Sequence, residues 1–384
     1  MPALLSDTDL LRKLVSFDSV SRNSNVPIAE FLADYLDRPS VRIVHSPGTE
    51  PGKVNLVVTL GPEPDGSHEG LILSGHLDVV SAGEDDWQTD PFTVHERDGK
   101  LYGRGTADMK GFIALAANRA AALDPARLRR PLALIFTCDE ELGTLGAKAF
   151  VDTWPNPERL PRDAIIGEPT SLAVVRMHKG YLKLRLRFRG IAAHSGYPHL
   201  GRSAIEPAAR AIDALARLRT QLEGERPKYH EFFPDVPFAP LNVGVVRGGV
   251  AINVVPDRCV VEFGIRLLPE MDVEAMLARV RRAVHDAVSD ADYELEIIGN
   301  SPPMLLEENA PLHRSLADIV SQKGTRSVSF ATDAGWFQTV GMGCVIFGPG
   351  SIETAHKPNE FVPVEELRRA GTVLDTIVAH RCLA

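Results

Sequence analysis

The run Leu71-Ile72-Leu73-Ser74-Gly75-His76-Leu77-Asp78-Val79-Val80 decides how this chain is read. Its first residues are apolar without alternation, the pattern of a strand covered on both faces by helices. It then ends on His-x-Asp, residue types that hold metal ions and protons. Comparable runs recur at Val54 to Leu60, Leu132 to Thr137 and Ala164 to Ile166, with helical stretches from Phe112 to Leu123 and from Leu145 to Trp154 between them. Ser6, with Asp9 at the third helical position, opens a first helix through Leu14, and Asn25 precedes a second from Ile28 to Leu36. The expectation is an α/β fold whose first domain is a helix-flanked sheet.

Candidate ligands follow the apolar runs, where open α/β sheets bind ligands at the carboxyl ends of strands. Besides His76 they are Asp108 in the Gly-rich run 105–111, the adjacent Glu140 and Glu141 after Thr137, and Glu168 after Gly167. His356 follows the strand Cys344 to Phe347 and the turn Gly348-Pro349-Gly350.

The pattern changes at Tyr181. Leu182, Leu184, Leu186 and Phe188 alternate with Lys183, Arg185, Arg187 and Arg189, as in a strand with one wet face. A helix at Ser203 to Leu218, strands at Leu241 to Val246 and Cys259 to Leu267, a helix at Val273 to Ala287 and a strand at Tyr293 to Ile298 complete a β-α-β-β-α-β order. That order predicts an inserted ferredoxin-like α+β domain. The expected division is 1–174 for the first part of the catalytic domain, 175–299 for the insert and 300–384 for the returning, helix-rich part that brings His356 back.

Composition narrows the function. The net charge of −9 over 384 residues, with no basic cluster beyond Arg127-Leu128-Arg129-Arg130, argues against a nucleic-acid surface. Residues 1–7 lack the basic and apolar regions of a secretory signal and no apolar run reaches membrane-spanning length, so a cytoplasmic protein that binds no membrane is expected. Cys138, Cys259, Cys344 and Cys382 have no Cys-x-x-Cys spacing and read as small buried hydrophobes rather than disulfide or zinc-finger partners. The Pro/Gly/acid-rich stretch at Gly61 to Gly70 reads as a loop.

A metal-binding imidazole needs its other ring nitrogen oriented, and Asp78 is placed to do this for His76. Alone, the motif reads equally as a histidine hydrogen-bonded at a strand end. Adjacent glutamates after an apolar strand repel and bury poorly without a cation. Strand neighbours point to opposite faces, so one of the pair suits a ligand and the other a base toward water. Two imidazoles and three carboxylates without a thiolate suit two zinc-like ions, with cobalt or manganese open.

The motifs fall in an order that resembles the dinuclear zinc deacylase and aminoacylase metallopeptidases over essentially the whole chain. The strongest similarity is to the acetylornithine-deacetylating branch. It is carried by the run Asp98 to Gly111, by Ile165-Ile166-Gly167-Glu168-Pro169-Thr170, by His178-Lys179-Gly180, by Tyr229-His230 and by Gly348 to His356. The resemblance implies two Zn2+ (or Co2+), one held by His76, Asp108 and Glu168 and the other by Asp108, Glu141 and His356, with Asp108 bridging. It implies Glu140 as general base and acid, Asp78 as the orienter of His76, and a cis peptide at Asp108-Met109.

It also makes the insert a dimerisation domain of a homodimer whose His194, in Ala193-His194-Ser195-Gly196, reaches the partner's site. Asn253, Arg266 and Thr332 would meet substrate, with Arg266 on a carboxylate. Taken alone, His194 reads as a loop histidine, Asn253 as a turn former and Arg266 as a surface cation. The implied activity is hydrolysis of a small-molecule N-acyl amino acid, with N2-acetyl-L-ornithine favoured, as in arginine biosynthesis. Asp333 stands where that branch commonly has Glu, so acetylcitrulline, other N-acyl amino acids and succinyl-diaminopimelate stay open. A catalytically silent metal-binding relative and a metal-free α/β protein are the competing readings.

Overall fold

A computed structural model describes residues 4–63, 68–83, 86–154 and 159–383; the expected loop at Gly61 to Gly70 lies partly outside them. The chain divides into two units. One comprises Met1–Met177, Met304–Arg326 and Thr332–Ala384, the other His178–Pro303 and Ser327–Ala331.

These bounds differ from the expected divisions after 174 and 299. The strand Asp292–Ser301 outruns Gly299 and keeps pairing until Ser301 meets Tyr181, so backbone hydrogen bonding carries the second unit further along the chain. The short segment at 327–331 joins it because Lys179 donates its backbone N–H to Val328 at 3.3 Å and the Ser327 hydroxyl donates to the Phe232 carbonyl.

The sheet of the first unit runs, in spatial order, Val41–Pro47, Val54–Leu60, Leu132–Thr137, Leu71–His76, Asp163–Ile166 and Gly343–Ile346. The last four are mutually parallel, while the first two join antiparallel. Leu71–His76 and Leu132–Thr137 are buried along their whole length, which is what an unalternating apolar run requires. Parallel strands end on one side of the sheet. The residues after His76, Thr137 and Ile166 are thereby gathered at one edge before any long-range contact is considered.

Helices α1 (Asp7–Val15), α2 (Val26–Leu36), α3 (Gly111–Ala122), α4 (Leu145–Thr153), α7 (Pro311–Ile319), α8 (Ala334–Thr339) and α9 (Val364–Val378) belong to this unit. Ser6 caps α1, its hydroxyl accepting the Asp9 N–H at 3.1 Å and donating to the Asp9 carboxylate at 2.7 Å. Asn25 does not cap α2. Its side-chain amide instead pairs with both backbone groups of Val54, at 2.7 and 3.0 Å, and ties the helix entry to a strand. Almost all of α3 is buried, and its run of alanines lets it lie close to α1, α2 and α9.

In the second unit the order strand Gly180–Arg189, α5 (Ile205–Gly224), strands Leu241–Gly248 and Arg258–Leu267, α6 (Val273–Val288) and strand Asp292–Ser301 is the ferredoxin-like one. The antiparallel sheet runs Leu241–Gly248, Arg258–Leu267, Gly180–Arg189, Asp292–Ser301. Leu182, Leu184, Leu186 and Phe188 are buried, and α5 packs against α6. On the open face Arg185 pairs with Glu262 at 2.8 Å. All four cysteines are buried. Among the described residues no helix is long and apolar enough to cross a membrane.

Candidate metal centre

His76 ends its strand fully buried, so both ring nitrogens must find partners within the protein. Nε2 lies 2.9 Å from Asp108 Oδ1 and Nδ1 lies 2.8 Å from the backbone carbonyl of Asp78. The Asp78 carboxylate, expected to orient this ring, stands 3.7 Å from Nδ1. It is engaged elsewhere, accepting the Ser21 hydroxyl at 2.7 Å and the backbone N–H groups of Glu140 and Glu141 at 3.1 and 3.3 Å. Asp78 thus orients His76 through its main chain and uses its side chain to hold the turn that carries both glutamates.

That turn corrects a second expectation. The strand stops at Thr137, so Glu140 and Glu141 are not separated by strand alternation. Asp139 adopts φ +51° and the Glu140 carbonyl accepts the N–H groups of Gly143 and Thr144 at 2.8 and 2.7 Å, closing a tight turn. Lys53 and Asp139, both buried, pair beneath it at 2.7 Å. Its partner set explains why the turn tolerates a left-handed Asp139, a conformation that short polar side chains accept more readily than others.

Asp108 sits where the Gly-rich run bends into α3. Gly105, at φ +82°, makes the bend, and the Asp108-Met109 peptide is cis. The two carboxylate oxygens diverge, Oδ1 toward His76 Nε2 at 2.9 Å and Oδ2 toward His356 Nε2 at 3.2 Å. His356 Nε2 also lies 3.0 Å from Glu141 Oε1. Ligand atoms of His76, Asp108 and Glu168 fall within 4.8 Å of one another, as do those of Asp108, Glu141 and His356. The five candidate ligands therefore form two groups that share Asp108. Glu140 belongs to neither and keeps part of its surface open.

The electrostatics fit a site meant for cations. Burial, then the charge of Glu168, pushes the Glu140 carboxyl well above its usual range, and burial with Asp108 does the same to Glu168. Burial also raises Glu141, against the hydrogen bond from His356. His76 is raised because Asp108, Glu140 and Glu168 outweigh its burial, and hydrogen bonds to Asp108 and Glu141 hold His356 up to about 10. Asp108, between two imidazoles, is lowered despite burial. Carboxylates that cling to protons and imidazoles that stay charged mark a cluster short of positive charge, as expected where cations belong.

One residue beside this cluster, Glu360, was not legible in advance. Glu360 is fully buried against Arg104 and the Gly105–Asp108 backbone; a carboxylate between the turn Pro358-Asn359 and the apolar pair Phe361-Val362 was its only signal. Asp333 is buried, takes the Thr137 hydroxyl on Oδ2 at 2.5 Å and is pushed up to about 6 by burial. Thr332, expected to meet substrate, is instead fully buried, and its hydroxyl accepts the Ala334 N–H at the start of α8 at 3.2 Å.

His194, Asn253 and Arg266 lie in the second unit. His194 is exposed and its Nδ1 accepts the Gly196 N–H at 3.0 Å. A neutral ring so engaged carries its proton on Nε2, which makes that nitrogen a donor. Asn253 is exposed beside Val250 and Ile252, and the Arg266 guanidinium stacks 3.6 Å above the Tyr181 ring.

The chain is similar to known proteins over nearly its whole length. An acetylornithine deacetylase of Pectobacterium carotovorum subsp. carotovorum (strain PC1) is 34% identical, covering 97% of each chain. One of Myxococcus xanthus is 37% identical, covering 100% of this chain and 98% of its own. In fold, the chain is similar to the M20 family metallo-carboxypeptidase Sso-CP2 of Sulfolobus solfataricus, at a TM-score of 0.77 and 16% identity, covering 97% and 98% of the two chains. Residues 72–380 match the family described as peptidase family M20/M25/M40. With that match and end-to-end relatives above 30% identity, the chain belongs to this family of hydrolases.

Proposed function

We propose that the protein is a metal-dependent amidohydrolase that converts N2-acetyl-L-ornithine to L-ornithine and acetate. The observation that carries this is the pair of ligand groups sharing Asp108, in a chain similar along its whole length to proteins named acetylornithine deacetylases. His76, Asp108 and Glu168 would hold one zinc ion and Asp108, Glu141 and His356 the other, with cobalt a workable substitute. Bound there, the ions would supply Lewis acidity, lowering the pKa of a water and polarising the scissile carbonyl.

The chain's own groups do the rest. Glu140, outside both ligand groups, takes a proton from the attacking water as the new C–O bond forms. It returns that proton to the leaving nitrogen as the C–N bond breaks, releasing acetate and the free amine. Asp78 holds Glu140 and Glu141 in place through their backbone N–H groups. In a homodimer the partner's exposed face would bring the Nε2–H of His194 to the developing oxyanion. Arg266 would meet the substrate carboxylate and Asn253 its polar groups. Val250 and Ile252, fully exposed apolar residues on the second unit, support a surface that self-associates.

With this activity the protein would serve arginine biosynthesis, and the cytoplasm is the compartment we propose for it. The test is hydrolysis of a panel of N-acyl amino acids by zinc-loaded protein, including acetylcitrulline and succinyl-diaminopimelate. Preference for N2-acetyl-L-ornithine supports the reading. Preference for another member moves the substrate while keeping the reaction, and full activity after metal removal overturns the mechanism.

A further inference from the structure

Glu360 is a carboxylate at the edge of the centre that belongs to neither ligand group, and its hydrogen bonds explain why. Oε2 accepts Arg104 Nη1 at 2.8 Å and the Gly105 N–H at 3.0 Å, while Oε1 accepts the N–H groups of Ala107 and Asp108 at 2.9 and 3.0 Å. An ionised carboxylate has about four acceptor positions. All are matched by N–H donors, so Glu360 has none left for a cation.

The donors come from the loop that aims Asp108. The strand Phe361–Pro363 pairs with Lys100–Tyr102, and the ladder continues as Gly103 donates its N–H to the Glu360 carbonyl at 2.9 Å. This register seats the Glu360 side chain beneath the Gly105–Asp108 backbone. Arg104, also buried, reaches the carbonyls of Lys357 at 3.3 Å and Ser81 at 3.1 Å. Three segments meet on one buried pair: the one after His76, the one ending in Asp108, and the one that begins at His356.

We propose that Glu360, with Arg104, is the positioning residue that fixes the orientation of the Asp108 carboxylate between the two histidines, by holding the backbone that carries it, so that both metal sites are made or lost together. The inference rests on the two-metal reading of the same centre. Glu360→Gln keeps the shape but turns an amide –NH2 toward N–H donors, which rotates or releases the loop.

The experiment titrates the metal-free full chain with Zn2+ against a chromophoric chelator and records the visible spectrum of the Co2+-loaded form, with far-UV circular dichroism as the fold control. With the circular dichroism unchanged, Glu360→Gln should weaken both ions in parallel, by about 10–100-fold as for other residues that orient metal ligands, and alter the Co2+ spectrum. Glu360→Asp should fail to restore it, because the shorter side chain misses the loop. Unchanged affinities, or weakening of one ion alone, overturn the inference. If Glu360→Gln does not fold, Arg104→Lys decides, since it keeps the charge but loses the planar fork: parallel weakening supports the inference and unchanged binding overturns it. A wild-type chain that takes up fewer than two ions would instead overturn the two-metal reading, and this inference with it.

Discussion

At the scale of single residues, the centre is a problem of who holds the protons. His356, held up to about 10 by Asp108 and Glu141, is charged at neutral pH in the metal-free chain, and His76 is raised as well. A ligating imidazole must be neutral, so metal uptake at pH 7 should release protons. Zn2+ titrations in buffers of different ionisation enthalpy will read the number, and a release of none would contradict the assigned ligands. Because the folded pKa of His356 is raised, its contribution to stability is full below the ordinary value of 6.5 and is lost as pH rises through about 10. The melting temperature of metal-free protein should therefore fall across that window, and metal loading should remove the dependence. The adjacent glutamates separate by the same logic. Glu140→Ala should lower kcat by about 100- to 10,000-fold while two ions stay bound, whereas Glu141→Ala should lower occupancy of the site it shares with His356. Equal metal loss in both variants would reverse the assignment.

Elements matter here chiefly at their ends. Four parallel strands stop on one side of the sheet, and close packing shapes the segment that leaves each of them. At Gly167, just before Glu168, an added Cβ would lie 1.9 Å from the Phe112 ring of α3. The glycine is what lets a buried helix lie against the strand end. Gly167→Ala should cost about 1–3 kcal/mol or more, as overpacking of a dense core does, and should weaken the ion held by His76, Asp108 and Glu168 first. Urea unfolding and metal titration of this variant test both effects; wild-type values in each would show that Phe112 moves aside at no cost.

For the whole molecule, the question is whether a second copy completes the site. The ring of His194 is set as an Nε2–H donor, and Val250 and Ile252 stand exposed on the same unit. If the partner's His194 serves each site, mixing His194→Ala with Glu140→Ala should restore activity on subunit exchange. One site of each heterodimer then has an intact Glu140 and a His194 supplied by the partner. A mixture that stays inactive although heterodimers form would remove His194 from the reaction.

Local pattern made much of the fold legible. Unalternating apolar runs marked the strands covered on both faces, and the alternation from Leu182 to Arg189 marked the one-sided strand, because side-chain periodicity is a property of neighbouring residues. Ligand candidates could be read for the same reason: His76, Asp108, Glu141, Glu168 and His356 each stand beside an apolar run or a glycine-rich turn. What these residues touch is not local. Glu360 meets donors more than 250 positions away, Asn25 pairs with Val54 instead of capping its helix, and Thr332 is sealed in the core. Hydrogen-bond partners and burial depend on which distant segments the sheet brings together. The sequence by itself determined which side chains could hold a cation. Only the tertiary structure decided that Asp108 shares its two oxygens between two histidines and that a fully hydrogen-bonded carboxylate stands behind it, because leaving a buried polar group without a partner is costly and the fold alone sets which distant groups come within reach.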